Sequence, residues 1–280
     1  MAHQYIRIRG VTMDVSEGTR GERHMKQLLI RADDVGYSYA VNLGIARAVN
    51  EGLVRSAGVM PNMEEAQRGV DWIRGAGIAL GQHTNLCLGR PCADPALIPS
   101  LLNEDGEFHS SREFRAAYAT GIDIVELDEA IIEVEAQLAR FREIVGTDPD
   151  YFEAHAIQSP NVFAAIHAVA ERHNLKEQPL EFDVTKEVVC GTTTCHMALE
   201  DMLPPDQYDP VEFIRRTVRE MADGDTYVMV FHPGYLDAFI LSNSSLTTNR
   251  TKEVDALIDP ALRAWLEDQP DVRLIDYRDL

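Results

Sequence analysis

Gln27-Leu-Leu-Ile-Arg-Ala-Asp-Asp-Val-Gly-Tyr-Ser38 is the stretch on which the reading of the fold turns. Residues 27–31 form a short, mostly apolar run that ends in Ala-Asp-Asp and a glycine. Val41, Ile45, Ala48 and Val49 then recur at helical spacing, and Gly52 falls where a helix C-cap belongs. The first unit is therefore a strand feeding a helix through a polar turn, and the same beat continues along the chain. Residues 54–60 predict a second strand stopped by Pro61-Asn62, and Ala66, Val70 and Ile73 mark a helix that Gly75 and Gly77 break. Residues 78–86 predict a third strand, residues 126–145 the clearest amphipathic helix, and residues 151–156 a fourth strand, with Pro160 opening the next helix. Residues 180–184, 226–232 and 272–275 predict further strands, and residues 211–221 a helix. The span 87–111, with prolines at 91, 95 and 99, reads as a loop of functional size, while 185–208 takes no assignment.

Apolar strands that alternate with helices and look buried on both faces imply parallel pairing in an α/β fold. Seven or eight strand candidates favour a single, irregular (β/α) TIM-like barrel, with an open doubly wound sheet as the alternative. Residues 1–24, rich in Arg, Glu and Gly and without sustained periodicity, read as a leader; residues 25–280 read as one catalytic domain.

Composition narrows the function. A formal net charge of −20 argues against a nucleic acid or an anionic membrane as partner, but leaves room for a small substrate held by a few local arginines. The four cysteines, at 87, 92, 190 and 195, have the wrong spacing for a zinc ribbon and are too few for a disulfide scaffold, so reduced thiols are expected. The first 25 residues lack the apolar core of a signal peptide, and no apolar run is long enough to span a bilayer. A cytoplasmic protein is the expectation, with a homodimer kept open.

The ionisable residues fall where such a fold would use them. Asp33 and Asp34 follow the first strand, His83 and His155 sit near the ends of the third and fourth, and His232 closes the strand that begins near Thr226. In α/β barrels the C-terminal strand ends line the active face. One of the two aspartates, with His83 and His155, makes an Asp/His/His set suited to one divalent ion, Zn2+ or Mg2+, and leaves the other aspartate free to take a proton. Singly, Asp33-Asp34 also fits an Asx turn or N-cap, each histidine fits a satisfied buried residue, and His232 fits a surface turn.

The segments Ala32-Asp-Asp-Val-Gly-Tyr-Ser38, Val41-Asn-Leu-Gly-Ile45, Gly52-Leu-Val-Arg-Ser56 and Met60-Pro-Asn62 resemble the YdjC-like carbohydrate deacetylases, which include the ChbG chito-oligosaccharide deacetylases. Gly81-Gln-His-Thr-Asn-Leu86, Gly89-Arg-Pro91, His232-Pro-Gly-Tyr235, Arg250 with Glu253, and the closing Leu274-Ile-Asp-Tyr-Arg-Asp-Leu280 continue the likeness in order. The resemblance implies a barrel related to the polysaccharide deacetylases that removes an acetyl group from an N-acetylated sugar. It also implies Asp34, His83 and His155 as metal ligands, Asp33 as general base and His232 as the group assisting the amine's departure. Asn85, Arg90, Tyr235 and Asp237 are the candidate substrate contacts. One segment departs from the family: where Asp-Ser-His or Asp-Gly-His and a second histidine are usual, this chain has Glu153-Ala-His155-Ala-Ile157. A metal-dependent amidase or esterase on a non-sugar, or a non-catalytic binding barrel, are the alternatives.

Overall fold

The computed structural model describes residues 6–8, 11–13, 24–157, 159–179 and 186–280. Ahead of the main fold, β1 (Ile6–Ile8) and β2 (Val11–Met13) pair antiparallel with each other. The organising element is β3 (Lys26–Val35), whose residues from Leu28 to Val35 are all buried. Successive side chains of a strand point to opposite faces. Leu28, Ile30 and Ala32 accordingly pack in the main core with the helices, while Leu29 joins a second core with Tyr151, Val228 and Val230. Arg31 and Asp33 follow Leu29 at intervals of two, so the inner face of the sheet turns polar toward the strand's C-terminal end.

The chain then runs α1 (Tyr39–Asn50), β4 (Ser56–Val59), α2 (Ala66–Ile73), β5 (Ala79–Thr84), α3 (Ser111–Tyr118), α4 (Leu127–Val145), β6 (Tyr151–Ala154) and α5 (Pro160–His173). After these come β7 (Glu187–Cys190), β8 (Thr193–Ala198), α6 (Pro210–Glu220), β9 (Thr226–Phe231), α7 (Ala238–Asn243), α8 (Thr248–Leu257), α9 (Pro260–Glu267) and β10 (Val272–Ile275). Seven strands lie in the order β6-β5-β4-β3-β9-β8-β7, curled like half a barrel. One edge of β3 is taken by β9; the other is shared, β10 pairing with Lys26 to Leu29 and β4 with the residues beyond. Every pairing in this sheet is parallel except β7 with β8.

The expected α/β class and parallel pairing are present. Barrel closure is not seen among the described residues: β6 and β7 end the sheet at its two sides, and the strand expected at residues 180–184 lies outside the described residues. The unassigned stretch 185–208 contains the β7–β8 hairpin, whose residues alternate exposed and buried in β7 as a strand covered on one side must. All four cysteines are free. No helix among the described residues is long and apolar enough to cross a membrane.

Packing inside the curl is close. The Tyr151 ring stacks on Tyr277 at 3.7 Å between centroids, and a Cβ placed on Gly81 would meet the Tyr151 ring at 2.3 Å. Gly81→Ala is therefore expected to overpack this layer and lower stability by about 1–3 kcal/mol in urea unfolding. An unchanged midpoint would show that the ring can move aside at no cost.

Candidate active site

The site is assembled at the C-terminal ends of β3, β5, β6 and β9. β3 carries an irregularity there: its register against β4 shifts between Ala32 and Val35, and Asp34 adopts a left-handed backbone with φ 76°. That conformation costs a non-glycine residue about 1 kcal/mol or more. Its effect is to bring both adjacent carboxylates onto one imidazole. Asp33 lies on the Nδ1 side of His83, with Oδ2 at 4.0 Å, and Asp34 Oδ1 lies 3.3 Å from His83 Nε2. The two aspartates are separated by the bulge rather than by strand alternation alone.

His155, one residue past β6, completes a triangle. Its Nδ1 is 3.3 Å from Asp34 Oδ1 and 2.8 Å from His83 Nε2. All three residues are buried, and Asp34 Oδ1 has no hydrogen-bond partner. Three donors held about 2.0–2.1 Å from a tetrahedral ion stand roughly 3.4 Å from one another. The observed triangle is close to that size, so the Asp/His/His set fits one divalent ion.

Around the triangle, Asp33, Asp34 and His83 each have a buried counter-charge. Arg250, on α8, donates from Nη2 to Asp34 Oδ2 at 2.7 Å and from Nη1 to the His232 carbonyl at 3.2 Å. Burial alone would raise the Asp34 pKa, but Arg250 overrides it and holds the carboxyl well below its usual range. Glu153, on β6, accepts from His83 Nδ1, and Arg31 donates to Asp33 Oδ2 at 2.7 Å. Burial would depress the His83 pKa, yet the Glu153 and Asp33 carboxylates hold it well above the usual histidine value. Gly58 on β4 makes room for this layer, since a Cβ there would lie 2.7 Å from Asp33 Oδ1 and 3.1 Å from His83 Cβ.

His232 follows β9 directly. Its Nδ1 is 2.7 Å from Asp201 Oδ2, and Asp201 is itself 1% exposed. Burial would lower the His232 pKa; the Asp201 carboxylate raises it to about 9. The His232 backbone N–H donates to Glu253 Oε2 at 2.6 Å, and Tyr208 OH donates to Glu253 Oε1 at 2.7 Å. Burial and the nearby Asp201 carboxylate push Glu253 up to about 7.

The structure thus brings Asp33, Asp34, His83 and His155 together, and Arg250 ties His232 to Asp34. The four candidate substrate contacts make their hydrogen bonds with the surrounding scaffold. Asn85 bonds Asn62, the Leu88 carbonyl and the Cys87 N–H. The exposed Arg90 offers its carbonyl to Asn62. Tyr235 OH accepts from Arg47 at 2.7 Å, and Asp237 caps α7 through the Ile240 N–H while accepting from the Ala40 N–H. Arg31, Asp201 and the partnership of Glu153 with His83 were not legible as site features. Arg31 did carry a signal, being a charged residue two positions before Asp33 on the same face of an apolar strand. Asp201 carried none, because it follows a hairpin that the sequence pattern does not reveal.

An α/β sheet with an Asp/His/His donor group, a second carboxylate and a histidine–aspartate pair at its strand ends defines a class of polar, acid-rich sites built on parallel strands. Within that class the chain can be placed: residues 27–268 match the model of the YdjC-like protein family, and the chain belongs to that family. Carbohydrate deacetylase 2 of Listeria innocua is 32% identical over 258 residues, covering 91% of this chain and 98% of its own. A carbohydrate deacetylase of Geobacillus stearothermophilus is 34% identical over 259 residues, covering 90% and 96%. The chitooligosaccharide deacetylase of Serratia marcescens is 29% identical over 252 residues, covering 87% and 95%. A crystal structure from Enterococcus faecalis V583, described as a candidate cellobiose-phosphate cleavage protein, has the same fold: its TM-score is 0.75 at 21% identity, over 91% of this chain and 98% of that one.

Removing one partner of a buried ion pair strands the other charge. Arg250→Met is expected to cost about 3–5 kcal/mol in urea unfolding measured with EDTA present. A loss below about 1 kcal/mol would mean that Asp34 finds another counter-charge.

Proposed function

We propose that this protein is a metal-dependent carbohydrate deacetylase that hydrolyses the acetamide of an N-acetylated sugar or oligosaccharide. The observation that supports it most is the buried Asp34–His83–His155 triangle, with its unpartnered Asp34 oxygen, set beside a second carboxylate and a histidine held cationic. Support for the substrate class comes from the relatives, named as carbohydrate and chitooligosaccharide deacetylases. On this reading the curled sheet is an irregular, incompletely closed (β/α) barrel, residues 25–280 are its catalytic domain behind a leader of residues 1–24, and the enzyme works in the cytoplasm.

Asp34, His83 and His155 would hold one divalent ion, Zn2+ or Mg2+. Such an ion polarises a carbonyl and lowers the pKa of a water, which makes hydrolysis at neutral pH accessible. Asp33 accepts the proton of the attacking water through Oδ1, the oxygen that Arg31 leaves without a partner. His232, cationic through Asp201, donates its proton to the departing nitrogen as the carbon–nitrogen bond breaks. Water and acetamide become acetate and a free amino sugar. Arg250 holds the two halves of this machinery in one frame, because one guanidinium bonds both Asp34 and the His232 carbonyl.

Acetate release across a panel of N-acetylated sugars, with acetylated non-sugar amides and esters alongside, tests the reading. Release from sugars that a chelator abolishes is expected, with Asp33→Asn slower by orders of magnitude. Release that ignores the chelator, or occurs only from non-sugars, would overturn it.

The pH profile tests the acid. Because the His232 pKa is raised to about 9, its proton is present below that pH and lost above it, so kcat/KM is expected to fall as pH rises through about 9. Asp201→Asn removes the charge that raises it, and the alkaline limb should then move to lower pH. A limb that stays in place would take Asp201 out of the assignment.

A further inference from the structure

Beneath the triangle lie two buried charged residues, Arg31 and Glu153, that the reaction does not use directly. Arg31 is 2% exposed, inside the curl of the sheet. Its Nη1 donates to Tyr277 OH at 2.9 Å and its Nη2 to Asp33 Oδ2 at 2.7 Å, while the same Nη2 lies 3.7 Å from Glu153 Oε2. Glu153, 2% exposed, turns its other oxygen to His83 Nδ1. Asp33, His83 and Glu153 offer donor atoms all within 4.8 Å of one another, and the charge that this group needs is already supplied by the guanidinium.

We propose that Arg31 and Glu153 are positioning residues that aim His83: Arg31 holds the Asp33 and Glu153 carboxylates in one frame, and Glu153 engages Nδ1 so that Nε2 faces Asp34 and His155. An imidazole can rotate about its Cβ–Cγ bond, and a partner on one nitrogen is what fixes the direction of the other. Glu153 is suited to this because it projects from β6 directly beside its parallel partner, the Glu153–His83 pair being in register. Its two oxygens divide between the partners, Oε1 on His83 Nδ1 and Oε2 toward Arg31. The guanidinium's fork suits the other side, since Nη1 and Nη2 bond different residues and hold the plane in place. Tyr277 and the stacked Tyr151, with Arg31 lying 5.7 Å from the Tyr151 ring centre, pack the stem of this arrangement. The ordering therefore runs from the closing segment of the chain, through Arg31 and Glu153, to a ligand of the triangle.

The inference rests on the metal reading above, and its test reads ion binding rather than turnover. The metal-free full-length protein is titrated with Zn2+ in competition with a chromophoric chelator, and folding of each variant is checked by circular dichroism and thermal melting. Wild type is expected to bind one ion per chain, and Glu153→Gln to bind it about 10–100-fold more weakly. Arg31→Met is expected to weaken binding as well, and the Arg31→Met, Glu153→Gln double variant to lose no more than Glu153→Gln alone. Arg31→Lys, which keeps the charge but has no fork, is measured beside them, so that the test stands even where Arg31→Met folds poorly; partial weakening is expected. No ion bound by wild type would sink the metal reading itself. One ion bound by wild type with unchanged affinity in Glu153→Gln would overturn the positioning role while leaving that reading intact. Losses that multiply in the double variant would overturn the Arg31 half, because the two residues would then act independently.

Discussion

Three carboxylates, those of Asp33, Asp34 and Glu153, are buried within one layer of the sheet, and much of the surrounding structure answers to their charge. A buried ion left unpaired costs several kcal/mol, so each carboxylate has to be met by a cation or a donor. Arg31 meets two of them from below, and Arg250 meets Asp34 from α8. His83 stands between them as a shared partner. The residual need is at Asp34 Oδ1, which makes no well-formed hydrogen bond and faces two imidazole nitrogens at 3.3 Å. An excess of acceptors directed at one small volume is the condition under which a divalent cation is the natural complement.

That constraint explains why distant parts of the chain converge here. β3 passes through the middle of the sheet and alternates apolar side chains toward the helices with Arg31 and Asp33 toward the inside. α8 buries Asn249, Arg250 and Glu253 on the face that meets the site, and through them it holds the β9 end and the 201–208 segment. Asn249 bonds the Asp201 and Leu203 carbonyls, while Glu253 bonds the His232 N–H and Tyr208. His232, Asp201 and the triangle are thereby parts of one hydrogen-bonded frame, although they come from five separate segments.

Which features were legible depends on the kind of signal each leaves. His83, His155 and His232 end apolar runs, and a sudden polar residue at a strand end is visible in one dimension. The β7–β8 hairpin was not visible, because only one face of β7 is buried and its turn at Gly191-Thr192 lies in a threonine-rich stretch that could equally be loop. α8 is hidden for a different reason: three of the six residues it buries are Asn249, Arg250 and Glu253, so it lacks the apolar stripe by which a helix is recognised. Asn85 and Asp237 looked like groups available for a ligand, yet their side chains are engaged in a turn and a helix cap. Polar residue types alone do not distinguish the two uses.

The sequence by itself determined the alternation of strands and helices, the strand-end position of the two aspartates and three histidines, and, through several motifs in order, the family to which the chain belongs. These are properties of residues close together along the chain: periodicity, punctuation by glycine and proline, and short motifs. Only the tertiary structure decided how the charges pair. The bulge that turns Asp34 onto His83 Nε2, the reach of Glu153 to Nδ1, and the arrival of Arg250 from 216 residues away all depend on the register of parallel strands and the docking of a helix. Parallel pairing joins segments distant in sequence, so no local pattern records which carboxylate will face which cation. The Asp/His/His set could be read from the chain, but the frame that aims it could be read only from the fold.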